Sequence, residues 1–125
     1  MIRSAFTMIE LMFVIVVIGI LTAIAVPKFA ATRDDAIVTK GRTTVAALRS
    51  AIATERQKRI LKGNFTNITG AEAQSLLEYG LDTHNWSRSG NTFTFTGPQG
   101  HTCKFTVSNN KLVKGACSVS GMSDL

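Results

Sequence analysis

Residues 5–27 read AFTMIELMFVIVVIGILTAIAVP, and Glu10 is the one acid ahead of an uncharged run. An ionised carboxylate in or beside hydrocarbon costs at least about 2.5 kcal/mol, so it usually has a partner or a function. The simpler alternative is that Glu10 reaches back to the lipid headgroups from one turn inside the membrane. Residues 11–27 provide 17 uncharged positions, about 25 Å of helix, which is short for a membrane core of about 30 Å. The run predicts a membrane-associated helix in which the acid at the start needs an explanation.

The same run resembles the N-terminus of type IV pilins and of the related pseudopilins of type II secretion and DNA-uptake machines. The resemblance is position by position over residues 5–27 and looser to about residue 60. In that family a membrane-embedded prepilin peptidase removes a short basic leader, and the new amino group is methylated. The resemblance implies cleavage between Ala5, where the family usually has Gly, and Phe6, which becomes N-methylated. It also implies that Glu10 guides assembly.

Elementary chemistry supports such a role for Glu10. Cleavage would create an α-amine on Phe6, which at a reference pKa near 8 is largely cationic at pH 7. Glu10 lies four residues further on, about 6 Å along a helix axis. It could pair with its own amine or with that of a neighbouring copy, and the family uses the neighbour. The resemblance implies polymerisation, with the helices of many copies forming a filament core.

An ordinary secretory signal peptide is the rival interpretation. Residues 1–3 form a short basic region, Leu11–Leu21 an apolar region, and residues 23–25 a small-x-small site. The mature protein would then start at Val26 and be soluble. Glu10 argues against this interpretation, because an acid just before the apolar region weakens membrane insertion. The helical pattern also continues past Pro27, which suits one through-running helix.

The helix is predicted to continue to about Lys62. Pro27 removes a backbone donor and should bend it, and Gly19 is a second weak point. The resemblance implies that the segment from Gly19 to Pro27 loses regular helix in filaments. Beyond it, one stripe at helical spacing predicts packing on a globular domain, and its glycine would allow close approach of another backbone. The stripe consists of Ile37, Val38, Gly41, Val45, Leu48 and Ile52.

Positive charge is concentrated on the second half of this helix. Residues 28–62 carry nine Lys/Arg and three Asp/Glu, a balance of +6, whereas residues 63–125 carry four of each. Arg56, Lys58, Arg59 and Lys62 cluster at the C-terminal end, where cations favourably meet the helix dipole. The functional alternatives are contact with an acidic face of a neighbouring subunit or with DNA phosphates. No aromatic residues are interleaved with these cations, so the DNA signal is weak.

The remainder reads as a small antiparallel sheet with a short helix before it. The helix is predicted over Ala71–Tyr79, capped by Thr69 or Gly70. Strands are predicted over 91–96, 101–107 and 111–119, with the side chains of Phe93 and Phe95 inward. The fold class is therefore α+β, a pilin-like long N-terminal helix packed on about three strands. The predicted organisation is a leader at 1–5, an apolar helix half at 6–27, an amphipathic half at 28–62 and a head at 63–125.

Cys103 and Cys117 lie seven residues to either side of Asn110. If the last hairpin has a three-residue loop, they face each other and can form a cross-strand disulfide, and two free core cysteines are the alternative. A disulfide implies a compartment outside the reducing cytosol. It also resembles the C-terminal disulfide-bounded loop of many type IV pilins.

No catalytic or metal-binding pattern is recognisable in the sequence. His84 and His101 lack a partner set, two Cys with two His do not reach a zinc pattern, and the acids are dispersed. We therefore expect a non-enzyme without cofactor or metal. Expected partners are copies of the chain, other pilins or pseudopilins, prepilin peptidase, an inner-membrane assembly platform and lipid. The expected location is the bacterial inner membrane with the head outside the cytoplasm, then a pilus or a periplasmic pseudopilus.

Overall fold

The computed structural model describes residues 5–125. The predicted leader, apart from Ala5, lies outside the described residues. The elements in chain order are helix α1 (Met8–Leu61), helix α2 (Gly70–Ser75), and strands β1 (Trp86–Ser89), β2 (Thr92–Thr96), β3 (Thr102–Ser108) and β4 (Lys111–Cys117). A short 3-10 turn at Pro98–Gly100 separates β2 from β3. The described chain divides between Arg33 and Asp34 into two compact units, here called the N-terminal unit (5–33) and the head unit (34–125).

The N-terminal unit is helical from Met8 onward and has no strand among its described residues. Its helix is continuous through Gly19 and Pro27. Thr22 bonds back from its hydroxyl to the carbonyl of Ile18 at 2.7 Å, one turn earlier. This local bond satisfies the hydroxyl within the helix, where hydrocarbon would offer it no partner. The bend and the loss of helix expected between Gly19 and Pro27 stay predictions.

The head unit packs the second part of α1 on a four-stranded antiparallel sheet, which confirms the α+β class. The strands follow one another in the order β1-β2-β3-β4. Phe93, Phe95 and Phe105 point from the sheet into the core and are almost completely buried. From the helix, the predicted stripe supplies Val45, Leu48 and Ile52, also buried, while Ile37 and Val38 pack at its edge.

Gly41 is a buried position of α1 that lies directly against the side chain of Phe95. A Cβ atom at this position would lie 2.7 Å from the ring of Phe95. The sequence predicted that Gly41 would allow another backbone to approach the helix closely. That prediction is wrong, because the group that approaches Gly41 is the aromatic side chain of Phe95. Phe95 in turn packs against Trp86 in a tilted arrangement, with ring centroids 5.1 Å apart and an interplanar angle of 48°, so its ring has little room to move.

The sheet has one strand more than the sequence indicated. Strand β1 pairs with β2 in register from Trp86 opposite Phe95 to Ser89 opposite Thr92. The sequence of β1 is Trp-Ser-Arg-Ser, and only its first residue is buried. An edge strand with one buried side chain carries almost no apolar alternation, so pattern analysis passes over it.

The short helix was predicted too long. A reciprocal capping box opens α2, with the Thr69 hydroxyl accepting from the Glu72 amide at 3.3 Å and the Glu72 carboxylate accepting from the Thr69 amide at 2.8 Å. The helix ends at Ser75, well before the predicted Tyr79. Leu77 and Leu81 pack against the core instead, which draws this segment out of helical geometry.

The last hairpin differs from the expected one in its turn. Asn109 and Asn110 both have positive φ, at 49° and 61°, and they form a two-residue loop between Ser108 and Lys111. Positive φ at both central residues is typical of a type I′ hairpin turn. A register shift further along the pair restores the alignment that a three-residue loop would have given, so Cys103 faces Cys117.

Candidate assembly and processing site

The N-terminal end of α1 is capped by its own side chains. The Glu10 carboxylate oxygen Oε2 accepts from the Thr7 amide at 3.1 Å and from the Thr7 hydroxyl at 3.2 Å. In return, the Thr7 hydroxyl accepts from the Glu10 amide at 3.2 Å. This is a capping box, in which a Thr and a Glu three residues later satisfy each other's backbone donors. The Thr-x-x-Glu spacing was available in the sequence and would have predicted it.

The capping box holds one oxygen of Glu10 and leaves the other available. Among residues 5–125, the Oε1 atom of Glu10 accepts no hydrogen bond, and Glu10 is solvent-exposed. Local capping therefore accounts for part of the acid's environment without neutralising its charge. A cation placed beyond the helix end could bind the carboxylate without breaking the cap.

The predicted cleavage position lies just outside the helix. Ala5, Phe6 and Thr7 precede the first helical residue, Met8, and all three are exposed. The Phe6 side chain is 85% exposed. A bond in a non-helical, exposed segment is accessible to a peptidase without unwinding α1.

The N-terminal unit presents large apolar side chains all around its helix. Phe13 is 70% exposed and Phe29 is 73% exposed. The other large exposed apolar residues from 11 to 26 are Leu11, Met12, Val14, Ile15, Val16, Val17, Ile18, Ile20, Leu21, Ile24 and Val26. By length and composition α1 contains a stretch able to cross a membrane, and none of that stretch is buried within the described protein. A helix that is apolar on every side is typically surrounded by membrane lipid or by the other helices of a bundle.

The four cations of the predicted basic patch do not share one environment. Arg59 forms ion pairs with Glu55 at 3.1 Å and with Glu72 at 2.9 Å, and its side chain is only 16% exposed. Hydrogen bonds to Glu72 and then to Glu55 raise the pKa of Arg59. The ion pair with Glu72 joins α1 to α2 inside the head unit. Lys58 and Lys62 are exposed, and Arg56 lines a groove.

Glu72 accepts hydrogen bonds from both α1 and its own helix cap. Hydrogen bonds from the Thr69 amide, then from the Arg59 guanidinium, lower the pKa of Glu72 to about 2. Lys40 similarly lowers the pKa of Asp82, and Arg42 lowers that of Asp124. All three carboxylates stay ionised at neutral pH and hold α1 to the segments around the sheet.

The groove beside Arg56 has an apolar floor and a basic rim. Its volume is about 570 Å³, and it lies between the last turns of α1 and the β3–β4 turn. Ile52, Ile60 and Leu112 contribute apolar surface, and Arg56 and Lys111 contribute charge from opposite sides. A hydrogen bond to the segment before α2 holds this turn in place: the side-chain oxygen of Asn110 accepts from the Ile68 amide at 2.7 Å.

The two cysteines form a disulfide that joins β3 to β4. Cys103 is completely buried, whereas Cys117 is partly buried. Residues beyond β4 fold back onto the head unit, where Val119 and Met122 are buried. Arg42 on α1 binds both carboxylate oxygens of Asp124, at 2.7 and 3.0 Å, and also donates to the carbonyl of Gly121.

The two histidines are solvent-exposed and lie in different loops of the head unit. His84 is in the turn before β1 and His101 precedes β3. Within residues 5–125, no three His, Cys, Asp or Glu side chains are grouped closely enough to hold a metal ion. The features that stand out are instead the capped acid, the exposed apolar helix and the basic groove.

A long helix, apolar and exposed at its start and packed on an antiparallel sheet at its end, defines a pilin-like class of protein. The chain is 39% identical over 112 residues to the type IV narrow pilus major component PilA5 of Thermus thermophilus, an alignment covering 83% of this chain and 97% of that relative. The chain belongs to the type IV pilin family. No protein-family model matches it, and no solved structure matches it.

Proposed function

We propose that the chain is the structural, non-catalytic subunit of a type IV pilus-like filament. One observation carries the proposal: the N-terminal unit exposes apolar side chains on every face of its helix, behind a single capped acid. Such a surface needs lipid before assembly and other helices after it. The precursor would be a single-pass protein of the bacterial inner membrane, with the head unit outside the cytoplasm.

Processing would occur between Ala5 and Phe6. Prepilin peptidase would remove residues 1–5, and methylation of the new amine would give N-methyl-Phe6. The exposed, non-helical position of this bond supports the proposal. The mature chain would then comprise the apolar segment 6–27, the amphipathic segment 28–62 and the globular segment 63–125.

Assembly would combine apolar burial with one directional ion pair. Burying apolar surface contributes about 25 cal/mol per Å², which favours helix association in any register. Glu10 would supply the register by pairing with the Phe6 amine of a neighbouring copy. The unengaged Oε1 atom supports this role, because the cap and the intermolecular pair use different oxygens.

The segment from Gly19 to Pro27 would adjust the helix to the filament. Pro27 has no amide hydrogen, so the carbonyl one turn earlier lacks its usual helical donor. Gly19 has no side chain, and nothing lies within 4 Å of the position its Cβ would take. Both features lower the cost of unwinding this stretch when copies pack together.

The relative's description as a pilus component favours a surface pilus, with adhesion or motility as its use, over a secretion or DNA-uptake pseudopilus. An inner-membrane assembly platform and other pilins would be its partners. Among the exposed cations, Arg56, Lys58 and Lys62 would be the ones to contact DNA. Salt-sensitive DNA binding that their neutralisation abolishes would test that use.

Mass spectrometry of the protein from filaments and from membranes tests the proposal. We expect a mature chain that begins with N-methyl-Phe6 in both fractions. A chain that begins at Val26 would show that residues 1–25 are a secretory signal peptide and that the product is a soluble exported domain. Retention of residues 1–5 in filaments would contradict the processing step.

A further inference from the structure

The charged residues of the head unit fall into two groups. Four acids have ion-pair partners within it: Glu55, Glu72, Asp82 and Asp124. Within the described part of the head unit, Asp34, Asp35 and Glu78 form no ion pair. The exposed cations without one include Arg56 and Lys111. These acids and cations therefore have charge to offer to another molecule.

Two of the unpaired acids and the basic groove lie at opposite ends of the helical part of the head unit. Asp34 and Asp35 are at its beginning, where they line a shallow depression with Pro98 and His101. Arg56 is 21 positions beyond Asp35 on the same helix, which corresponds to about 32 Å along the axis. One head unit therefore cannot bring its own acidic pair to its own groove.

The basic groove is built to receive a group rather than only to hold solvated charges. Three cations line it: Arg49, which donates to the Leu125 carbonyl at 2.7 Å, and the two rim cations Arg56 from α1 and Lys111 from β4, which flank an apolar floor. Asn110, next to Lys111, is held by a hydrogen bond to Asn67 at 3.0 Å as well as by Ile68. Asn110 thus holds the turn that carries Lys111, and the apolar floor between the two cations excludes part of the water, which strengthens electrostatic contacts.

We propose that Asp34 and Asp35 of one copy dock at the Arg56 and Lys111 rim of the groove in a second copy. The inference rests on the proposed function, since it assumes that copies polymerise. The contact uses two different surfaces, so it is head-to-tail, and repetition of such a contact gives a ring or, where the rotation does not close, an open filament, rather than a two-fold dimer. Complementary charge favours this occupant, and the axial separation of the two surfaces supplies a step along the filament.

Charge reversal in the full-length chain tests the proposal. Asp34→Lys with Asp35→Lys, or Arg56→Glu with Lys111→Glu, places like charges together, and we expect filament yield to fall about tenfold or more. The fourfold variant that combines both reversals restores opposite charges and should return the yield to within about twofold of wild type. Lys58→Glu with Lys62→Glu is the matched control, since these cations are exposed on the same helix end but do not line the groove.

Filament yield would be measured as sheared filament protein relative to the membrane pool, which shows whether each variant folds and inserts. If a charge reversal impairs folding, the milder Arg56→Gln with Lys111→Gln variant replaces it, and this variant should give a yield between those of wild type and the reversal. Failure of the fourfold variant to recover, with normal membrane levels and normal wild-type filaments, overturns the docking proposal alone. An equal loss in the Lys58 and Lys62 control also overturns it.

Two further outcomes distinguish docking between copies from a failure to polymerise and from binding of nucleic acid. If wild type forms no filaments, the proposed function fails together with the docking. If Arg56→Glu with Lys111→Glu leaves filaments intact but abolishes retention on double-stranded DNA, the groove binds nucleic acid and the contact between copies is refuted.

Discussion

Two capping boxes with the same spacing begin helices α1 and α2, and their acids differ in what else they bind. Glu72 caps α2 from Thr69 and also binds Arg59 at 2.9 Å. Glu10 caps α1 from Thr7, and no cation among residues 5–125 binds it. The motif therefore occurs once with its acid in an ion pair and once with its acid available to an external cation.

The two parts of α1 differ in the same way. From residue 34 onward its apolar stripe is covered by the sheet, with Leu48 completely buried. From residue 8 to 33 its large apolar side chains are exposed, with Phe13 at 70%. The head unit stabilises itself, whereas the N-terminal unit exposes groups that require an external partner. Substitutions in the two units should thus be read out by different measurements.

The largest difference should come from a pair of phenylalanines. Phe95→Ala removes a completely buried ring that contacts Gly41 and Trp86, and it should lower the free energy of unfolding of the head unit by about 3–5 kcal/mol. Phe13→Ala, at an exposed position, should leave that unfolding unchanged and reduce filament yield instead. Thermal unfolding followed by near-ultraviolet circular dichroism measures the stability of both variants, and the amount of sheared filament protein measures the filament yield. Equal destabilisation by the two variants would remove the distinction between the units.

Loss of the disulfide should have the next largest effect. Cys103→Ser with Cys117→Ser opens a cross-link between residues 14 positions apart, for which the entropic model gives about 3 kcal/mol. We expect a lower unfolding temperature of the head unit and unchanged membrane insertion. Treating wild type with reductant in mild denaturant should reproduce the shift, and no shift in either case would contradict a structural role for the bond.

Substitution by leucine should have opposite effects at two helical glycines, destabilising the head unit at Gly41 and stabilising the helix at Gly19. Gly41→Leu collides with the ring of Phe95 and should cost about 1–3 kcal/mol of head stability. Gly19→Leu meets open space and should stiffen the helix, because Leu exceeds Gly in helix propensity by nearly 1 kcal/mol. Chemical denaturation measures the first effect. Amide exchange at residues 16–26 measures the second, and faster exchange in the Gly19 variant would refute it.

The smallest expected effect is the pH dependence that Glu72 contributes. Folding lowers the pKa of Glu72 from 4.5 to about 2. Its stabilisation is therefore complete above about pH 4.5 and is lost as the pH falls through about 2. The difference in unfolding temperature between wild type and Glu72→Gln should shrink over this range. Glu78→Gln, at an exposed position without an ion pair in the described chain, is the control and should show no such trend.

The parts of the fold that repeat a strong pattern could be predicted from sequence. The period of the α1 stripe and the alternation of Phe93 and Phe95 each report burial directly, and both were confirmed. Strand β1 was missed because it is held mainly by backbone pairing to β2 and buries one side chain. The alignment of Cys103 with Cys117 depends on a two-residue turn together with a register shift between Cys103 and Phe105. No local sequence pattern predicts the combination of the two.

The candidate site divides along similar lines. The positions of Ala5, Phe6 and Glu10 came from the resemblance, and their roles stay predictions. The basic patch was defined by sequence proximity, and the structure separates Arg59 from it because Glu72, 13 residues away, reaches the guanidinium. The groove between Arg56 and Lys111 was not predicted, since the two residues are brought together only by packing of the last hairpin on α1.

Replacement of Glu10 by Gln separates capping from charge. Glutamine can still accept a hydrogen bond from the Thr7 amide, as capping boxes allow, but it cannot form an ion pair. Thr7→Val is the converse control, since it removes the hydroxyl and keeps the acid.

The measurement is the fraction of processed chain recovered in sheared filaments relative to that in membranes. We predict normal insertion for both variants, with incorporation of Glu10→Gln reduced about tenfold or more, as loss of about 1.4 kcal/mol requires, and largely preserved in Thr7→Val. Wild-type incorporation of Glu10→Gln would contradict the account, because the carboxylate would then serve its own helix end alone.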